Sequence, residues 1–119
     1  MRMLLPVLAV VASLTACGGD EEGADTRLAG IKVFKSMESL QCRGGGVSLA
    51  ALQAQLTAAN IQVQSAECGN DGQPAPTVCG VPDGRIGIFD IPVGQASAAD
   101  AAGFKPLTTL PGAKTIPCS

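Results

Sequence analysis

The chain of 119 residues contains no histidine, no tryptophan and no tyrosine. Without histidine there is no imidazole acid–base catalysis, no histidine-activated nucleophile and no histidine-ligated metal site. Its three aromatic residues are all phenylalanine, which argues against the stacking platforms that bind nucleic-acid bases. Eight basic against ten acidic residues give a net charge of −2, so we expect no nucleic-acid partner.

An apolar run occupies residues 3–16, directly after the positive charge of Arg2. As a helix, this run would span roughly 21 Å, which is short of the ~30 Å hydrocarbon core of a bilayer. Its length, its position and the preceding charge therefore predict a secretory signal peptide rather than a permanent membrane span.

The run ends in Leu14-Thr15-Ala16-Cys17, an aliphatic residue and two small residues before a cysteine. This motif resembles the lipobox of bacterial lipoproteins. The resemblance implies that residues 1–16 are removed and that the Cys17 thiol carries a diacylglyceryl group. Buried acyl chains contribute about 0.8 kcal/mol per CH₂, which holds a small domain at a bilayer. An ordinary secretory signal followed by an incidental cysteine is the alternative.

The residues after Cys17 bear on the destination of the protein. In lipoproteins of diderm bacteria, Asp at the next position favours retention in the inner membrane, so Gly18 implies the outer membrane and a domain facing the periplasm. Residues 18–27 hold four acids, three glycines and no large apolar side chain, which predicts a flexible tether rather than an acidic ligand patch. We therefore predict a signal peptide at 1–16, the lipidated cysteine and tether at 17–27, and one domain at 28–119.

Four further cysteines lie in this domain: Cys42, Cys68, Cys79 and Cys118. Their even number, the small domain and an exported location predict two structural disulfides. No two of them form the C-x-x-C spacing of thioredoxin-like redox sites or paired zinc knuckles, so we expect neither chemistry and no metal.

Two helices are predicted from their ends. Ser48 is a suitable N-cap before the apolar spacing of residues 49–59, and residues 95–102 are rich in alanine. Residues 58–61 and 101–104 share one pattern, namely two alanines, a residue that tolerates left-handed backbone and an apolar residue. Each helix should therefore end in the same kind of C-cap.

Strands are predicted at residues 31–35, 61–65 and 85–91, the last of them central in the sheet, and a further strand is predicted after the second helix. Residues 107–116 could add a terminal hairpin around Pro111-Gly112. This order resembles the ferredoxin-like βαββαβ sandwich. We therefore expect a disulfide-stabilised α+β fold with two helices and four or five antiparallel strands.

The cysteines allow three pairings, which their spacing alone does not distinguish. In the expected topology all four lie at one end of the sheet. Among the three, we favour Cys68–Cys79, which would close the long loop, together with Cys42–Cys118, which would hold the C terminus.

No catalytic constellation emerges from the sequence. The run Gly44-Gly45-Gly46 lacks the Lys and Ser/Thr of a phosphate loop and is expected to form a turn. Asp83 is explained by the turn Pro82-Asp83-Gly84. Arg43 and Arg85 are expected to approach the same end of the sheet beside loop 69–78, as a possible recognition surface or simply as solvated arginines.

Three functional hypotheses follow. The leading one is a non-catalytic envelope lipoprotein, bound to the membrane through its N-terminal lipid, whose domain recognises an envelope protein or another envelope component. The second is a periplasmic protease inhibitor or chaperone-like module that presents loop 69–78 or an open sheet edge. The third, an enzyme, has the least support. No cofactor is expected, and the sequence does not indicate an oligomeric state.

Overall fold

The structure, a computed structural model, describes residues 29–118, so the predicted signal peptide, Cys17 and the tether lie outside the described residues. The described chain contains two α-helices and five strands. In chain order these are β1 (Gly30–Ser36), α1 (Leu49–Ala58), β2 (Ser65–Asn70), β3 (Arg85–Pro92), α2 (Ala96–Ala101), β4 (Lys105–Pro106) and β5 (Lys114–Thr115). Neither helix within residues 29–118 has the length and apolar character needed to cross a bilayer.

The five strands form one antiparallel sheet in the order β4-β1-β3-β2-β5. Strand β3 lies at the centre, as predicted, and pairs with β1 on one side and β2 on the other. Its residues 86–89 are buried, which agrees with their apolar character on both faces. The predicted α+β class, with an antiparallel sheet, two helices and two disulfides, is confirmed.

The main core lies between the sheet and the two helices. A side-chain Cβ added at Gly87 would lie 2.9 Å from Leu52 Cδ1, so α1 packs directly onto β3. The Phe89 ring meets the Phe104 ring edge-on, with centroids 5.7 Å apart. The largest fully buried side chains of this core are Val33, Leu52, Leu56, Phe89, Ile91 and Phe104.

Both helices end in the predicted cap. Asn60 adopts φ 63°, and the next residue, Ile61, donates its backbone N–H to the Leu56 carbonyl at 3.0 Å. Gly103 adopts φ 92°, and Phe104 donates to the Ala99 carbonyl at 2.9 Å. These are Schellman motifs, in which the apolar residue after the left-handed position is drawn into the core.

Substitution of Asn60 should test this cap. An L-residue in left-handed backbone costs roughly 1–2 kcal/mol, from which Gly is exempt and Asn partly so. We therefore expect Asn60→Gly to be at least as stable as the wild type, and Asn60→Ala to be about 1 kcal/mol less stable than Asn60→Gly. Urea unfolding of the oxidised protein measures both. Equal stability of the Gly and Ala variants would contradict the assigned conformation.

The predicted strand at residues 61–65 is wrong, because β2 begins only at Ser65. The backbone N–H of Ile61 is used in the helix cap, and that of Gln62 donates to the Gln95 side-chain oxygen at 2.8 Å. Pairing with β3 begins where Gln64 N donates to the Asp90 carbonyl at 2.7 Å. The apolar alternation of residues 61–63 thus belongs to an irregular segment that packs against the core.

The predicted C-terminal hairpin is also wrong. Strand β4 pairs with β1 and β5 pairs with β2, so the two short strands lie on opposite edges of the sheet. A 3-10 turn, Leu107–Thr109, follows Pro106, and residues 107–113 connect the two edges.

Ile86 and Ile88 alternate with the helix-facing residues of β3, yet both are buried. A Cβ at Gly69 would meet both the Ile88 side chain and the Lys114 carbonyl, so the backbone of β5 passes close to this second face at β2.

Candidate functional site

All four domain cysteines are bonded, as predicted, but the predicted pairing is wrong. The bonds are Cys42–Cys79 and Cys68–Cys118, rather than Cys68–Cys79 and Cys42–Cys118. The backbone explains the difference. Gln41 exchanges hydrogen bonds with the segment after Cys79, and Ile116 N donates to the Cys68 carbonyl at 3.0 Å, which brings Cys118 to β2.

Both disulfides lie where β1 and β2 end and β3 begins, and this end of the sheet is called the disulfide end below. Cys68 is buried against the core, whereas Cys42, Cys79 and Cys118 are exposed residues. The clustering of the four cysteines at one end of the sheet therefore agrees with the expected topology. The Cys68–Cys118 bond lines a cleft of about 460 Å³ at this end.

The cleft lies between the connection from β1 to α1, the start of β3 and the Cys68–Cys118 bond. Its floor is largely apolar, its rim is rich in glycine, and it holds one basic and one acidic side chain. The lining residues that the chemistry depends on are Met37, Ser39, Leu49, Cys68, Asp83 and Arg85.

The glycine run follows a turn at residues 41–43, rather than forming the turn itself, and lines the cleft. Its three residues, 44–46, adopt φ values of 65°, 76° and 81° in succession. At Gly46 a Cβ would lie 2.1 Å from the Met37 carbonyl oxygen, so no larger residue fits there. Val47 then donates to the same carbonyl at 2.7 Å, and the Ser48 hydroxyl accepts from Ala51 N at 3.0 Å to begin α1.

Asp83 holds the turn at the start of β3. Its Oδ1 accepts hydrogen bonds from the Ser39 hydroxyl at 2.8 Å and from Arg85 N at 3.0 Å. The Asp83 backbone N–H donates in return to the Ser39 carbonyl at 3.1 Å. The structural explanation of Asp83 is therefore confirmed. Ser39 was not predicted, because its partner is 44 residues away and no local pattern signals the contact.

The two arginines singled out in the sequence have different surroundings. Arg85 lines the cleft, and its Nη2 donates to the Cys118 carbonyl at 3.3 Å. Arg43 does not line the cleft. Its guanidinium carbon instead lies 3.7 Å from the Cβ position of Gly80, beside the Cys42–Cys79 bond. The structure thus brings only Arg85 into the site.

The predicted loop 69–78 begins later than expected, because Gly69 and Asn70 belong to β2. The Asn70 and Asp71 side chains accept from the backbone two residues on, at 2.8 and 2.9 Å, and so form consecutive turns. Gln41 Nε2 donates to the Pro76 carbonyl at 2.9 Å, and the Cys42–Cys79 bond closes the loop's far end. The exposed loop is thus fastened at both ends.

The arrangement offers noncovalent recognition chemistry: one guanidinium above an apolar floor. No group of three His, Cys, Asp or Glu residues in the described chain is placed to hold a metal ion. Comparisons of the chain with models of protein families, with curated proteins and with solved structures found no significant match. Its function therefore has to be inferred from its own residues.

Proposed function

We propose that this chain is a cell-envelope lipoprotein whose small domain recognises an envelope component without catalysing a reaction. In this proposal residues 1–16 are cleaved, Cys17 is acylated, and the domain faces the periplasm from the outer membrane. One observation carries the proposal. Four of the five cysteines pair with each other, and the fifth ends an apolar N-terminal run within a lipobox-like motif.

The disulfides support an exported location. Such bonds form and persist in oxidising compartments and are rare in the cytosol of mesophiles. Each bond has at least one exposed cysteine, namely Cys42 and Cys79 in one and Cys118 in the other, so cytosolic reductants would reach both. Cys17 remains as the odd cysteine, and lipidation is the modification that its local sequence favours.

The strand order supports assignment of the domain to the ferredoxin-like sandwich, with one strand added. The first four strands follow the connectivity β-α-β-β-α-β, and both helices pack on one face of the antiparallel sheet. Strand β5 extends the sheet beyond β2. In this assignment the added edge strand serves to bring Cys118 back to Cys68.

The direction of β1 supports recognition at the disulfide end. The tether joins the domain next to Gly30, at the start of β1, whereas the cleft lies beyond Ser36, where β1 ends. Seven strand residues separate these points by about 20 Å. A domain anchored through Cys17 can therefore direct the cleft and loop 71–78 away from its point of attachment.

Metabolic labelling tests the anchor. Cells that express the chain and are supplied with labelled palmitate should yield a labelled product that is 16 residues shorter than the precursor. Cys17→Ser should abolish the label, whereas Cys42→Ser should retain it, because Cys42 belongs to a disulfide. An unlabelled wild-type product, or label that survives Cys17→Ser, would contradict the proposal.

A further inference from the structure

We propose that the cleft at the disulfide end binds a carboxylate attached to a small apolar group, with the Arg85 guanidinium as its donor. This inference rests on the proposed recognition function and names the chemistry of its ligand. Two ligand sources share that chemistry, namely the C-terminal carboxylate of a peptide and a fatty acid. The test below separates them.

The charge of Arg85 has no counter-ion within residues 29–118. Its side chain donates to the Cys118 carbonyl, a neutral acceptor, and no carboxylate of the described chain lies within 4.0 Å. The ion pairs Lys32–Glu67 and Lys105–Asp100 do not involve Arg85. A guanidinium has five N–H donors in a planar arrangement that matches a carboxylate, so most of its donors are available to a ligand.

Asp83, the acidic residue of the cleft, does not serve as the counter-ion of the Arg85 guanidinium. Its Oδ1 already accepts from the Ser39 hydroxyl and from the Arg85 backbone N–H, and this fixes the start of β3. Because its negative charge remains nearby, a bare inorganic anion gains little in the cleft. A ligand needs a second source of binding energy.

The apolar floor supplies that second source. Met37 and Cys68 are both buried at the cleft, and Leu49 is partly buried beside them. Burial of apolar area contributes about 25 cal/mol per Å², so even one methyl-bearing side chain adds usefully to a single ion pair. A cleft of about 460 Å³ accommodates two or three peptide residues or a short acyl chain.

The glycine rim leaves the cleft accessible. A Cβ added at Gly44 or Gly45 would meet no atom within 4 Å, so there is space for a side chain at both positions. Their left-handed backbone nevertheless disfavours other residues. The result is a stretch of the cleft's lining without side chains, which leaves room for an elongated ligand.

Photoaffinity labelling of the full chain in phosphatidylcholine nanodiscs tests the inference. Three diazirine probes are used: a short apolar peptide with a free C-terminal carboxylate, the same peptide amidated, and a fatty acid. We expect at least one free carboxylate to label residues 37–49, with Arg85→Gln reducing this labelling at least tenfold. Amidation should reduce the peptide's labelling equally. Arg43→Gln, which removes an arginine outside the cleft, should change labelling by less than twofold.

The two carboxylate probes identify the source, because Arg85-dependent labelling by either one supports the proposal. The proposal is overturned if neither carboxylate gives Arg85-dependent labelling, or if the peptide does so and its amidated form labels equally. Native disulfides and an unchanged urea midpoint in Arg85→Gln establish that the variant is folded. If crosslinking in intact cells captures a partner through loop 71–78 while both carboxylates fail, the ligand assignment is wrong and the recognition function stands. Loss of palmitate labelling would instead remove the lipoprotein assignment.

Discussion

Removal of the Cys68–Cys118 bond by the double substitution Cys68→Ala and Cys118→Ala should lower the free energy of unfolding by about 4 kcal/mol. The bond joins residues 50 positions apart, and closing a loop of that length restricts the unfolded chain by roughly this amount. Alanine is used at position 68 because the site is buried and a serine hydroxyl would lack a partner there. Urea unfolding of the oxidised variant measures the loss.

The other disulfide provides a matched control. Cys42–Cys79 spans 37 residues, so its removal has nearly the same effect on the unfolded chain. It joins two exposed segments, however, whereas Cys68–Cys118 fastens the C-terminal segment whose strand β5 pairs with β2. Only loss of Cys68–Cys118 should therefore accelerate hydrogen exchange in β5. Unchanged stability in that variant, or equal exchange in both, would contradict this account.

The helices and their caps could be predicted because their signals are local. Ser48, Asn60 and Gly103 each act within four residues of the groups that they satisfy. The central position of β3 followed from its apolar residues on both faces. By contrast, residues 61–63 alternate like a strand, but their backbone donors are taken by α1 and by Gln95, which no local pattern reveals.

The C terminus and the cleft depend on contacts between distant parts of the chain. Lys105–Pro106 and Lys114–Thr115 lie close enough in sequence to form a hairpin, yet each finds its partner on a different edge of the sheet. That choice determines which cysteine reaches Cys68. The sequence predicted Arg85 at the correct end of the sheet, but the folded chain alone brings it together with residues 37–49 and the Cys68–Cys118 bond to form the cleft.

Truncation of Phe89 to alanine should have the largest effect of any single substitution, about 3–5 kcal/mol. The side chain is fully buried at the centre of β3 and meets the Phe104 ring edge-on. Its loss removes a large apolar area and leaves a cavity between the sheet and both helices. Phe89→Leu should cost less than half as much, because it preserves most of the volume. Val93→Ala, at an exposed position just after the same strand, should stay within about 0.5 kcal/mol.

The effects of Phe89→Ala and of the disulfide should combine. The bond acts mainly on the unfolded chain and Phe89 on the folded core, so their losses should add to about 7–9 kcal/mol. A domain of about 90 residues has a total stability of roughly 5–13 kcal/mol. Dithiothreitol also breaks Cys42–Cys79, so the loss on reduction exceeds this sum. Phe89→Ala should therefore remain folded when oxidised and be largely unfolded after reduction, whereas Val93→Ala should respond to reduction like the wild type. Circular dichroism with and without dithiothreitol measures this difference, and a reduced Phe89→Ala protein as stable as the oxidised one would contradict it. Because a domain of this size has only a small core, it should reach its full stability only when its cysteines are oxidised. The oxidising environment of the proposed periplasmic location would meet this condition.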